Sequence, residues 1–154
     1  MRRLCALVCM LFLLLCACNK QTTYATDLLA ELVSLSNAPA PDADIYFAQG
    51  TREARLDAVL QDLYGAETDV LARLADYAVL LGRSTTLYEI HILRPVSAAD
   101  TPALRRMLEA RAKLLCLATE EGHTTNPNAI VCEADGLLFL FATPHNEALQ
   151  ASVA

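Results

Sequence analysis

Apolar and polar positions recur along this chain with periods that change from one stretch to the next, and each period predicts an element. Asp27 to Leu35 (DLLAELVSL) places Leu28, Leu29, Leu32 and Leu35 at helical spacing, with Asp27 suited to the first turn. The segment SNAPAPDAD that follows is rich in Pro, Ala and Asp and reads as a loop; Ile45-Tyr46-Phe47 then forms either a small strand or a hydrophobic anchor. From Thr51 to Tyr64, Leu56, Val59, Leu60 and Leu63 make one apolar face, while Arg52, Glu53, Arg55, Asp57, Gln61 and Asp62 decorate the others. Gly65 ends that helix, because it accepts a left-handed backbone. A further turn or two, capped by Thr68 or Asp69, reaches Leu74.

At Tyr77 the period shortens to two. Tyr77 to Leu81 and Leu87 to Arg94 read as strands joined through Gly82-Arg83-Ser84-Thr85, and Pro95 ends the second. In that second strand Tyr88, Ile90 and Ile92 face one way, and Glu89, His91 and Leu93 the other. Helical spacing returns after Asp100 and Thr101, with Pro102 tolerated in the first turn and a stripe of Leu104, Met107, Leu108, Leu115 and Ala118. A loop from Glu120 to Asn128 leads to Ala129–Glu133 and Leu137–Ala142, paired through the Asp135-Gly136 hairpin signal. Asn146 to Gln150 closes the chain as a short helix. The expected fold is α+β: an antiparallel sheet of about four strands built from two hairpins, with helices packed largely on one face.

The first residues follow a different logic. Arg2 and Arg3 precede an apolar run from Leu4 to Leu15, and the chain turns polar at Asn19 and Lys20, which is the layout of a signal peptide. The run is shorter than the roughly 17–25 residues that cross a hydrocarbon core. Its end, Leu15-Cys16-Ala17-Cys18, resembles the bacterial lipobox, with an apolar residue three before the cysteine and a small residue directly before it. That resemblance implies cleavage ahead of Cys18, lipid on its thiol, and an anchor of two or more acyl chains on the extracytoplasmic face of the membrane. Leu15 makes Cys16 a poor rival site. The alternative is an ordinary exported protein cut at a small residue. The expected organisation is a signal peptide over 1–17, a lipid-anchored tether over 18–26 and one domain over 27–154, with Tyr24 of the tether near the membrane interface.

Cleavage changes the charge and the cysteine count. Losing Arg2 and Arg3 from 12 basic residues leaves 10 against 18 acidic ones, a formal charge of −8. That balance argues against nucleic acid as a partner, because phosphate binding needs cations. Of the six cysteines only Cys116 and Cys132 remain unassigned. They are open to two readings, a pair of small buried hydrophobes or one export-side disulfide.

Candidate chemistry is sparse. Glu89 and His91 share a strand face, where a carboxylate could tune an imidazole, but no nucleophile accompanies them and a solvent-facing sheet surface is expected. His91, His123 and His145 are scattered without metal-ligand spacing. Tyr64, beside Gly65, either lines a groove or locks its helix end onto the core. The candidate binding surface is therefore Tyr64, Glu89, His91 and His123, with no catalytic, cofactor or metal set expected.

Four pieces together resemble an uncharacterised family of small lipoproteins, mostly from Gram-positive anaerobes, whose shared region is a domain of unknown function. They are the lipobox ending in Cys18; Asp62-Leu63-Tyr64-Gly65; Tyr88-Glu89-Ile90 leading into the Ala103–Leu117 helix; and Asn128-Ala129-Ile130-Val131 followed by Leu137–Phe141. The resemblance implies localisation and architecture, and brings no reaction or ligand. The functional expectation is a membrane-anchored, noncatalytic accessory or protein-binding module, with an envelope protein as partner. A small-ligand-binding lipoprotein is the alternative, and a cell-envelope hydrolase a more distant one.

Overall fold

The computed structural model describes residues 23–35, 43–48, 54–65, 68–83, 88–118 and 128–154. The stretch expected as a signal peptide, Cys18, His123 and nearly all of the 120–128 loop lie outside these residues. In chain order the elements are α1 (Ala25–Leu35), β1 (Ala43–Ala48), α2 (Ala54–Tyr64), α3 (Thr68–Leu71), β2 (Leu74–Gly82), β3 (Glu89–Pro95), α4 (Thr101–Ala118), β4 (Ile130–Ala134), β5 (Leu137–Ala142) and α5 (Asn146–Val153). A short 3₁₀ turn, Ala98–Asp100, precedes α4. Asp100 accepts from both the backbone and the hydroxyl of Ser97, so the helix entry is tied off one turn earlier than Asp100 or Thr101 capping predicts.

The strands form one antiparallel sheet in the order β1-β2-β3-β5-β4. Both expected hairpins, β2–β3 and β4–β5, are present and meet through β3 and β5. The β4–β5 turn has positive φ at Asp135 (49°) and Gly136 (73°), the pattern of the tight hairpin turn whose twist matches its strands. The sheet has five strands rather than four, since Ala43–Ala48 pairs along β2 from Ala43↔Gly82 to Ala48↔Tyr77.

Helices cover both faces, not one. Leu60 of α2, Leu71 of α3 and Leu104, Leu108 and Leu115 of α4 pack on Tyr77, Val79, Leu93, Leu138 and Leu140. Leu29 and Leu32 of α1 and Leu149 of α5 pack on Leu80, Ile90, Ile92, Phe139 and Phe141 of the other face. The physical reason lies in β5: every residue of LLFLFA is buried, so neither face can be left to water. Each large side chain so buried contributes roughly 1.5–3 kcal/mol relative to exposure. Leu35, expected on the apolar side of α1, is instead 55% exposed at the helix end.

Cys116 and Cys132 are not joined in a disulfide, and both are half-buried. Cys132 packs with the α1/α5 layer, whereas α4, which carries Cys116, covers the opposite face. The sheet itself separates the two thiols.

Candidate functional site

Strand alternation puts Glu89, His91 and Leu93 on the face that α4 covers. Glu89 and His91 are therefore in the interior, 5% and 0% exposed, not on a wet surface. Four polar side chains meet there in sequence. The Tyr64 hydroxyl lies 2.7 Å from His91 Nδ1, and His91 Nε2 lies 2.8 Å from Glu89 Oε2. Arg111 of α4 then donates Nε to Glu89 Oε2 at 3.1 Å and Nη2 to Oε1 at 2.5 Å. The Tyr64 ring also meets the imidazole edge-on, with centroids 5.6 Å apart at 67°.

Electrostatics fixes the proton positions. Burial alone would push the Glu89 carboxyl up, but the hydrogen bonds and charges of His91 and Arg111 outweigh it and hold the group down at about 2. Burial pushes His91 below its ordinary value, against the pull of Glu89, so the ring is neutral. An ionised Glu89 only accepts, so His91 carries its proton on Nε2 and Nδ1 accepts from the Tyr64 hydroxyl. Burial and the Glu89 charge push the Tyr64 phenol upward, keeping it protonated and a donor.

Both imidazole nitrogens and both Glu89 oxygens are committed within this chain. It therefore holds elements together: the last residue of α2, the centre of β3 and the middle of α4 are tied by four hydrogen bonds across a low-dielectric layer. Tyr64, half-buried, packs against the core and its hydroxyl ties the end of α2 to His91. Gly65, at φ 57°, directly ends that helix and keeps Tyr64 as its terminal residue.

Arg111 escaped the sequence reading, although a signal for it exists. It sits seven residues after Leu104, three after Leu108 and four before Leu115, inside the apolar stripe. A cation there demands a buried anion, and Glu89 is the one within reach.

A second polar cluster lies on the opposite face, at the end of the sheet where β2 begins and β3 ends. Asp76 and Arg94 are cross-strand partners. Asp76 Oδ2 accepts the Ala25 backbone N–H at 2.8 Å, and Arg94 Nη2 donates to the Thr23 carbonyl at 2.6 Å. The α1 entry is thereby bolted to the sheet, and Ala25 and Thr26, within the stretch expected as tether, lie in α1.

A cleft of about 350 Å³ lies beside the α5 entry, lined by Asn128, Ile130, Pro144, His145, Asn146 and Glu147. Asn146 organises it: its Oδ1 accepts from the Thr143 backbone and hydroxyl, and its Nδ2 donates to the Asn128 carbonyl at 2.6 Å. His145 lines this cleft and takes no part in the Tyr64–His91–Glu89–Arg111 chain, and among the described residues no group of three or more His, Cys, Asp or Glu could hold a metal ion. Among the described residues no helix is long and apolar enough to cross a membrane.

No family model, curated protein or solved structure matches this chain.

Proposed function

We propose that this chain is exported, anchored to the outer face of a bacterial membrane by lipid on Cys18, and serves there as a noncatalytic accessory module that binds another envelope protein. The observation that carries the reading is Leu15-Cys16-Ala17-Cys18 at the end of a short apolar run. Two features of the folded part support a binding role. The buried Glu89–His91 pair has its proton-accepting positions occupied from within the fold. Ile45 and Phe47 stand 54% and 45% exposed on β1, which pairs only with β2 among the described residues, and such an edge suits strand addition by a partner segment.

The test is in-cell crosslinking of the tagged chain, with Cys18→Ser as the unanchored control and an alkyne-tagged palmitate reporting acylation. One dominant captured protein, enriched only with the acylated form and lost on Phe47→Lys, is expected. Acylated protein that captures nothing beyond the control would overturn the binding role; an unlabelled Cys18 would overturn the anchor.

The cleft at Asn146 favours a second reading, a small-ligand-binding lipoprotein, since its volume is within the range of ligand sites. Thermal stabilisation by a small metabolite, abolished by Glu147→Ala, would favour it.

A further inference from the structure

The two bonds that bolt the α1 entry also set how the domain meets the membrane. Deepening the anchored reading, and resting on it, we propose that the end of the sheet carrying Tyr24 and Val96 lies against the outer leaflet that holds the Cys18 lipid.

Chain length is the first argument. Thr23 is fixed by Arg94 and Ala25 by Asp76, at the centre of one end of the sheet. Only residues 19–22 separate Thr23 from Cys18. Even at full extension, five residues reach roughly 17 Å. A domain of this size has a radius comparable to that reach. It therefore cannot turn its far end toward the lipid.

Surface chemistry is the second. At this end Tyr24 is 47% and Val96 61% exposed, an aromatic and an apolar group without cover. Val96 is held by its N–H, which donates to the Arg73 carbonyl at 2.7 Å. Arg73 lies 3.5 Å from Asp69 and 3.9 Å from Asp100, offsetting two carboxylates that would otherwise oppose approach to a headgroup layer. An amphipathic Tyr is favoured at that layer. The Asp135-Gly136 turn lies at the same end beyond β3, because Leu93 pairs with Leu138, and its carboxylate bounds the contact.

The opposite end gives the control. Glu89 pairs with Ala142, so His145 lies at that end, roughly 20 Å away along the strands. The full chain, purified in its acylated form with Cys116→Ser and Cys132→Ser, would carry Val96→Cys or His145→Cys labelled with bimane, in phosphatidylcholine vesicles containing headgroup-nitroxide lipid. Quenching several-fold stronger at position 96 than at 145 is expected. Equal quenching, or stronger quenching at 145, overturns the orientation. Intact mass of the same preparation separates the two ideas: a chain without diacylglyceryl on Cys18 overturns the anchor and this inference together, while acylated protein with equal quenching overturns the orientation alone.

Discussion

Arg111 grips both oxygens of Glu89 although the two residues lie 22 positions apart, one on α4 and one on β3, and Glu89 is almost wholly buried. The pair sits under a helix that otherwise presents leucines to the sheet, so its geometry and not its count of charges decides its worth. Losing one partner strands the other charge. Arg111→Met should therefore destabilise the fold by about 3 kcal/mol or more. Adding Glu89→Gln should recover part of the loss, because a neutral amide still accepts from His91 Nε2. Urea unfolding of the two single variants and the double variant measures the coupling. Additive losses would mean that the pair does not act as a unit.

Tyr64→Phe keeps the ring against the imidazole but removes the only donor shown to Nδ1. A buried acceptor without a partner costs about 1–3 kcal/mol. The informative readout is the nitrogen spectrum of His91. In the parent chain Nε2 should carry the proton and Nδ1 should not; in Tyr64→Phe the Nδ1 signal should shift toward that of a free acceptor. A parent spectrum with the proton on Nδ1 would overturn the assigned direction of the whole chain.

Much of this fold could be read directly from residue order, and the failures share a cause. Asp135-Gly136 announces its hairpin because few residues tolerate two successive positive φ values, and the helix from Thr101 announces itself by Leu104, Leu108 and Leu115. Neither signal depends on distant contacts. Glu89 and His91 misled because alternation assigns them to a common face without saying what covers that face. That information sits in Arg111, a cation inside an apolar stripe, and in LLFLFA, whose unbroken apolar run requires cover on both sides. The β1 strand was ambiguous for a related reason. Ile45 and Phe47 remain half exposed, so its three apolar residues carry little burial signal, and its identity comes from pairing with β2.

Gly136 offers a local test of the hairpin. A methyl group there would meet nothing within 4 Å, yet the backbone has φ 73°. The penalty of Gly136→Ala is thus conformational and not steric, roughly 1–2 kcal/mol. Thermal melting should show that loss, and Asp135→Asn should melt close to the parent, because Asn accepts the left-handed region. Equal melting of Gly136→Ala and the parent would mean that the turn relaxes to another type.

The pH profile separates the buried chain from the acidic surface. Glu89 titrates at about 2 when folded against an ordinary 4.5, so the unfolded chain takes up a proton that the folded one refuses between those values. Its contribution is fully present above pH 4.5 and disappears as the pH falls toward 2, roughly 3 kcal/mol in all. His91 acts with the same sign, since its folded value is depressed below the ordinary 6.5; its contribution is present above 6.5 and declines as the pH falls below it. Stability should therefore be level above neutrality, decline gently below pH 6.5, and fall more steeply below 4.5. Glu89→Gln isolates the lower step. Measured by urea unfolding, the parent's advantage over this variant should be constant above pH 5 and shrink toward pH 2. An advantage that stays the same down to pH 2 would show that Glu89 does not hold its charge in the way Arg111 and His91 imply.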